Sequence, residues 1–253
     1  MASELRDDAL SSLVRAVDRS KRHDSVPFAV SFIRAKGDKA PLASLIYAGG
    51  GRGGEVRLKL YLCITMMATQ APHDLKTPPT PKAWARLLAL PQTTGPRRVN
   101  SNLKWLESNG FIAFEPRVGA PAKIVLLSVG GAGEPYVRPS LTSRYVSMPL
   151  GLWSHGWLID LSATAIALLL VLMELQGGRE GARYVPSDRR AEYGLSPGTW
   201  TRGRKELEAC GLLTVRRTPQ GGDFVYNRMR NLYRVDEDRL NSPSPGLPGD
   251  RRS

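Results

Sequence analysis

The sequence holds few of the residues that build metal centres and disulfide frameworks. Its 253 residues include two cysteines, Cys63 and Cys210, and three histidines, His23, His73 and His155. Both cysteines fall among apolar neighbours, which predicts two buried free thiols in a reducing compartment. Because the histidines are scattered and the cysteines lack zinc-ligand spacing, we expect no metal and no other cofactor.

Long apolar segments are missing as well. The longest apolar run, residues 163–173, is far short of the roughly 20 residues that cross a bilayer. The chain opens without the charged and then apolar pattern of a secretory signal. These absences predict a cytoplasmic protein without a membrane partner.

Residue groupings that would support catalysis are also lacking. The glycine-rich stretch at residues 48–54 does not have the Gly-Lys-Ser/Thr ending of a phosphate-binding loop, which favours a flexible connector. No motif places a nucleophile with a base and an orienting group. We therefore expect that the protein is not an enzyme.

Acidic residues are outnumbered by basic residues. The chain has 36 Lys and Arg against 23 Asp and Glu, a formal net charge of +13. An excess of this size attracts polyanions, of which nucleic acid is the commonest. The apolar fraction of 42% is enough for a packed core.

One sequence pattern occurs twice. Residues 103–117 align with residues 204–217, so that Gly110 corresponds to Gly211 and the preceding Leu-Glu pairs also match. In both copies we expect a helix to end at the glycine, which suits the left-handed C′ position, and a strand to follow.

The match extends upstream in the same order. Each copy has a long apolar helix, at residues 56–69 and 162–175, and then a polar loop. A second helix follows, for which Thr80 and Ser187 are natural N-caps. After a tight turn, Gly95-Pro96 opens a third helix in the first copy and Ser196-Pro197 opens it in the second. More weakly, the strand-like segment from Pro27 resembles the one from Tyr145.

These patterns divide the chain into five parts. The opening helix has an apolar stripe of Leu5, Ala9, Leu13 and Val17, which predicts packing against the first unit or a homodimer contact. The predicted parts are an N-terminal amphipathic helix (1–24), a first unit (25–129), a linker (130–143), a second unit (144–236) and a disordered tail (237–253).

The stretch VPSDRRAEYGLSPGTWTRGRKELEACGLLTVRR, residues 185–217, resembles bacterial winged helix-turn-helix regulators. The first copy, TPKAWARLLALPQTTGPRRVNSNLKWLESNGFI at residues 80–112, follows the same plan with about four more residues in the turn. The resemblance implies a mainly α fold with small β-hairpins (α+β), built from two tandem winged helix-turn-helix domains. It also implies binding to double-stranded DNA and a nucleoid-associated location.

The third helix of each copy is amphipathic, with an outward face that is polar and basic. Arg, Lys, Asn, Ser and Thr are the side chains that contact bases in the major groove. The hairpins add arginines and a lysine where they would meet phosphates. The candidate DNA-binding residues are Arg97, Arg98, Asn100, Ser101, Lys104, Arg117, Lys123, Thr199, Thr201, Arg202, Lys205, Arg216, Arg217, Arg228 and Arg230.

Several roles are compatible with such a protein. A transcriptional regulator is favoured, while some plasmid replication initiators also consist of two related winged-helix domains, an arrangement that this chain resembles. Architectural or partition-type DNA binding is a third possibility, and one unit could instead bind a protein. Because the two outward faces differ, an asymmetric or direct-repeat site is expected as readily as a palindrome.

Overall fold

The structure is a computed structural model that describes residues 2–37, 39–47, 53–129, 133–140, 143–179, 181–219 and 229–246. It contains helices and small antiparallel sheets, in agreement with the predicted α+β class. A first helix, α1 (Ala2–Ser20), precedes two halves of similar construction.

Among the described residues, the first half contains five helices and four strands. In chain order its elements are β1 (Ser25–Ala29), α2 (Val30–Ile33), α3 (Pro41–Tyr47), α4 (Gly53–Met67), β2 (Asp74–Leu75), α5 (Pro81–Leu87), α6 (Gly95–Ser108), β3 (Ile112–Arg117) and β4 (Ala120–Leu126). Strands β3 and β4 form a hairpin, and β2 pairs with β4, so the sheet order is β2-β4-β3.

The second half repeats this order. Its elements are β5 (Tyr145–Pro149), α7 (Gly151–Ser154), α8 (Trp157–Asp160), α9 (Ala163–Gln176), β6 (Arg183–Tyr184), α10 (Ser187–Glu192), α11 (Pro197–Ala209), β7 (Leu213–Pro219) and β8 (Met229–Val235), followed by a 3-10 helix at Asp238–Asn241. The sheet order β6-β8-β7 is also equivalent. Among the described residues, each half therefore presents the same nine elements in the same sequence.

Most local helix signals lie where the sequence predicts them, but the N-cap predicted at Ser187 is wrong, because Ser187 is the first residue of α10 and Pro186, which has no capping side chain, precedes it. The Thr80 hydroxyl accepts a hydrogen bond from the Ala83 amide, and the Ser196 hydroxyl accepts one from the Thr199 amide, both at 3.2 Å. Gly110 and Gly211 have φ angles of +71° and +76°, which residues with a side chain rarely adopt. Each glycine ends a helix and turns the chain into the first strand of a hairpin.

The two halves share one continuous apolar core. Strand β1 of the first half pairs antiparallel with β5 of the second, from Ser25 opposite Pro149 to Ala29 opposite Tyr145. Helices α4 and α9 pack against each other. Apolar residues lie on every face of helix α9, and α4, α11, β5 and β8 surround the helix. The boundary predicted at residues 130–143 thus does not separate two cores.

A buried carboxylate ties the halves together beside this core. The side chain of Glu174, on α9, is 1% exposed and accepts hydrogen bonds from Tyr193 at 2.6 Å and Arg189 at 2.8 Å. Arg34, at the end of α2 in the first half, donates to the same carboxylate at 3.2 Å. Burial alone would raise the pKa of Glu174, but these hydrogen bonds and positive charges prevail and lower it.

Helix α1 bridges both halves. Its residues Ala9, Leu13 and Val17 are buried, and the helix packs on α4 and α5 of the first half and on α7 of the second. Arg6 adds a bidentate ion pair with Asp160, with distances of 2.9 Å and 2.6 Å. Three of the four residues of the predicted stripe are thus covered within the chain, which confirms packing against the first unit, and Leu5 is half-buried.

Two expectations about flexible segments need correction. Within the predicted linker, Pro139 is buried and the Tyr136 amide donates to the Leu126 carbonyl. Within the predicted tail, Leu240 is fully buried and the Trp157 indole donates to the Ser242 carbonyl at 2.9 Å. Buried apolar side chains and hydrogen bonds to backbone carbonyls anchor both segments, although the composition of the segments is typical of linkers. The rest of the linker (130–132 and 141–142) and the tail beyond residue 246 lie outside the described residues.

Over the described residues, no helix is both long and apolar enough to cross a membrane.

Candidate nucleic-acid interface

Helix α6 has one buried and one exposed face, as the sequence predicts. Val99, Asn102, Leu103 and Leu106 are buried, and the helix packs on α4 and α5. The Asn102 amide donates to the carbonyl of Arg98, one turn earlier, at 2.7 Å, which satisfies its polar group inside the helix. The exposed residues are Arg97, Asn100, Ser101 and Lys104.

Helix α11 occupies the equivalent place in the second half. Trp200, Gly203 and Leu207 are buried, as is Cys210 just beyond the helix. Gly203 lies so close to α9 that an added Cβ would be 2.9 Å from the carbonyl oxygen of Thr164. The exposed residues are Gly198, Thr201, Arg202 and Lys205.

The acidic residues of α11 are engaged within the protein. Glu206 accepts hydrogen bonds from the amide and hydroxyl of Ser162 at the start of α9, at 2.6 Å and 2.5 Å. Glu208 forms an ion pair with Arg204 at 3.0 Å. On α6 the acid is Glu107, exposed in the last turn.

The outward cations, in contrast, have no carboxylate partner within the described part of the chain. This is so for Arg97 and Lys104 on α6 and for Arg202 and Lys205 on α11. Both outward faces therefore carry uncompensated positive charge next to hydroxyl or amide groups.

Two candidates near the helix starts are less accessible than predicted. Thr199 is only 1% exposed, and its hydroxyl lies 2.9 Å from the Ser196 hydroxyl that caps α11. Thr199 therefore belongs to the helix cap and is not an exposed candidate for a DNA contact. Arg98 is half-buried beside the exposed Arg97.

The hairpin β3–β4 extends beside α6. Arg117 is exposed at its end and donates to the carbonyl of Lys76, while Val118 at the tip is fully exposed. Lys123 differs from the prediction, because its ammonium is 2.8 Å from Glu115 and 3.4 Å from Asp74. The hydrogen bond to Glu115 is the main reason why the pKa of Lys123 is raised. Its charge is balanced inside the sheet, so Lys123 is not a free phosphate contact.

The hairpin β7–β8 carries Arg216 and Arg217, both exposed on β7. The residues between the strands, 220–228, lie outside the described residues, and the candidate Arg228 is among them. Arg230 is half-buried, with its guanidinium 5.3 Å from the centre of the Tyr184 ring. This stacking gives Arg230 a structural role in the sheet and corrects its assignment as a free surface cation.

A groove that the sequence did not reveal lies between α6 and the hairpin β3–β4. It has a volume of about 420 Å³, and Asn100 and Lys104 of the outward face line it. Its apolar lining includes Pro78, Pro79, Trp84, Phe114 and Ile124. The proline-rich residues 77–81 were the available signal, but their position beside α6 depends on the fold. The groove brings the helix face and the hairpin of the first half together in one surface.

The chain matches no protein-family model, no curated protein and no solved structure.

Proposed function

We propose that this chain is a sequence-specific double-stranded DNA-binding protein built from two winged helix-turn-helix units. One observation carries the proposal: α6 and α11 occupy equivalent places and both expose a face of unpaired basic and hydrogen-bonding side chains. In each half, a helix, a short strand, two helices joined by a turn and a hairpin follow in the order of a winged helix-turn-helix.

The chemistry of the two faces suits the major groove. Arg97, Arg202 and the two lysines can donate to guanine O6 and N7, and Asn100 can pair with adenine. Arg117, Arg216 and Arg217 on the hairpins suit phosphate contacts, which position a protein without reading sequence. The proposal extends to transcriptional regulation, in which the protein occupies an operator beside a promoter.

The first experiment selects bound sites from random duplex DNA and measures affinity for the selected duplex at several salt concentrations. If about six phosphates are neutralised, log K against log salt has a slope of about −5. Absence of binding to any duplex at low salt would reject the proposal. Mapping the sites in genomic DNA tests the role, since sites confined to an array of repeats would indicate an initiator in place of a regulator.

A matched pair of variants separates a local interface from general positive charge. The double variant Arg202→Ala and Lys205→Ala removes two charges from the outward face of α11. The control, Arg15→Ala and Arg19→Ala, removes two exposed charges from α1. We expect the α11 variant to lose at least tenfold more affinity for the selected site than the control, whereas equal losses would mean that net charge alone drives binding.

A further inference from the structure

Equivalent strands of the two halves pair with each other. Strands β1 and β5 are the first elements of their halves, and they run antiparallel with Pro27 opposite Ser147 at the centre. Moving outward from this centre, Ser25 lies opposite Pro149 and Ala29 lies opposite Tyr145. A half-turn about an axis through the central pair therefore exchanges the two strands.

The long helices of the two halves are also equivalent elements that contact each other. Helix α4 is the fourth element of its half and α9 is its equivalent, and the two pack directly against each other. Contact between equivalent elements is the property of an isologous interface, in which the same patch is used on both sides.

Two further pairs of contacts between the halves are reciprocal. Others, such as the hydrogen bond from the Ser196 amide to the Tyr47 hydroxyl, lie outside these pairs. Arg34, at the end of α2, binds Glu174 on α9, and Trp153 on α7 lies against the Cys63 thiol on α4. Helix α3 packs on α9, while Lys59 on α4 donates to the Ile159 carbonyl of α8 at 3.1 Å. In each pair the first contact becomes the second when the halves are exchanged. A head-to-tail arrangement would instead join unlike surfaces.

We propose that the two halves form an internal pseudo-dimer about a local twofold axis, and that the protein consequently binds two half-sites in inverted orientation. This inference rests on the proposed function, because it assigns an orientation to the DNA contacts of α6 and α11. A twofold axis that exchanges the halves also exchanges these two helices. On duplex DNA, a protein twofold corresponds to inverted half-sites, about one helical turn or a multiple of it apart.

The natural site will not look palindromic, because the two helices carry different side chains. Aligned through their Leu-Glu pairs, Arg97 corresponds to Gly198, Asn100 to Thr201, Ser101 to Arg202 and Lys104 to Lys205. Only the lysine is common to both outward faces. The orientation of the half-sites must therefore be tested with two identical faces.

The experiment makes the outward face of α11 the same as that of α6. The triple variant Gly198→Arg, Thr201→Asn and Arg202→Ser changes exposed positions only, and a Cβ added at Gly198 comes no nearer than 4.0 Å to the heavy atoms around it. The full-length variant is used to select sites from random duplex DNA, alongside the unaltered protein. We expect the variant to select an inverted repeat of one half-site and the unaltered protein to select two unlike half-sites.

The other outcomes are distinct. A direct repeat selected by the variant would overturn the inverted orientation while leaving DNA binding intact. A single half-site for both proteins would overturn it as well, since only one helix would then contact bases. If the unaltered protein selects no duplex, the proposed function fails together with this inference. The reverse variant, Arg97→Gly, Asn100→Thr and Ser101→Arg, repeats the test with α6 altered, and far-UV circular dichroism verifies the fold of both.

Discussion

At the scale of single residues, Arg202 and Arg217 have the same charge but different expected contacts. Arg202 lies on the outward face of α11 and Arg217 on the hairpin strand β7. We expect Arg202→Ala to weaken the selected site by about 1–3 kcal/mol and to relax base preference at one position. Arg217→Ala should instead weaken selected and random duplexes about equally, because a phosphate contact carries no sequence information. Fluorescence anisotropy with both duplexes measures the difference.

Lys123 is the control for these two variants. Glu115 and Asp74 already compensate its charge, so we expect Lys123→Ala to leave DNA affinity within about twofold of the unaltered protein, or 0.4 kcal/mol. A loss as large as that of Arg217→Ala would show that Lys123 leaves its partners when DNA binds. Interchangeable effects of Arg202→Ala and Arg217→Ala on the two duplexes would contradict the division into base and phosphate contacts.

Glu174 gives a prediction about stability. Glu174→Gln removes the carboxylate partner of Arg189 and one of the two carboxylates that pair with Arg34, the other being Glu192. Because this network is largely buried, we expect a loss of about 3 kcal/mol in the free energy of unfolding. Glu208→Gln, which breaks an ion pair that is about one-third exposed, should cost no more than about 0.5 kcal/mol. Urea denaturation of both variants measures the difference, and equal losses would contradict the importance of the buried network.

The pH dependence follows from the lowered pKa of Glu174. A carboxyl whose pKa is lower in the folded protein stabilises the fold at pH values above its ordinary value of 4.5. This stabilisation is lost as the pH falls through the folded-state pKa. We therefore expect the difference in stability between the unaltered protein and Glu174→Gln to shrink below about pH 4.5. A difference that stays constant to lower pH would contradict this assignment.

The misassignments of Lys123 and Arg230 have one physical origin, which is a partner distant in the sequence. Helical periodicity correctly separated Arg97, Asn100 and Lys104 from Val99 and Leu103, because local geometry decides which face a residue occupies. Lys123 was misassigned because its partner Asp74 is distant in the sequence and becomes a neighbour only when β2 joins the sheet. Partners of this kind cannot be read from periodicity.

At the scale of elements, the approach of α11 to α9 depends on Gly203. A methyl group at this position would meet the Thr164 carbonyl at 2.9 Å and the Leu168 side chain at 3.1 Å. We expect Gly203→Ala to destabilise the protein by about 1–3 kcal/mol, although alanine is the better helix former. On the same helix, Gly198→Ala should be neutral or stabilising by up to about 1 kcal/mol, because Gly198 is exposed. A stabilised Gly203→Ala in thermal unfolding would mean that the helices separate easily.

The elements differ in how far the sequence can predict them. The cap at Thr80, the helix start at Ser196-Pro197 and the helix ends at Gly110 and Gly211 are local features, and all four are confirmed. The cap predicted at Ser187 is wrong. The pairing of β1 with β5 was not predicted, because strand pairing between segments more than one hundred residues apart leaves no local signal. The same long-range contacts anchor residues 237–246, whose composition alone is typical of a disordered tail.

At the scale of the whole molecule, the shared core predicts cooperative unfolding. Residues of both halves line one apolar cluster, and α1 packs on both halves. We expect amide hydrogens in α6 and α11 to lose protection at the same urea concentration, as in a two-state transition. Hydrogen exchange followed by mass spectrometry measures both helices in one experiment. If α6 opens at clearly lower urea than α11, the halves are separate cooperative units.

Fragments give an independent test of the same core. A second-half fragment starting at residue 143 lacks β1 and α4, so it exposes one side of the apolar helix α9 and one edge of β5. We expect this fragment to aggregate or to lose its fixed tertiary structure, in contrast to separately folding units. A monomeric fragment with native near-UV circular dichroism would contradict this expectation.

The pairing of β1 with β5 has a consequence for how the protein behaves at low copy number. The subunits of an ordinary homodimer separate on dilution, so the concentration of its active form depends on the square of the monomer concentration. Here the two matching halves belong to one polypeptide, and their association is independent of concentration. The occupancy of a ligand that binds both halves then rises hyperbolically with the protein concentration. The two halves can also change independently, since a mutation alters one of them and not both.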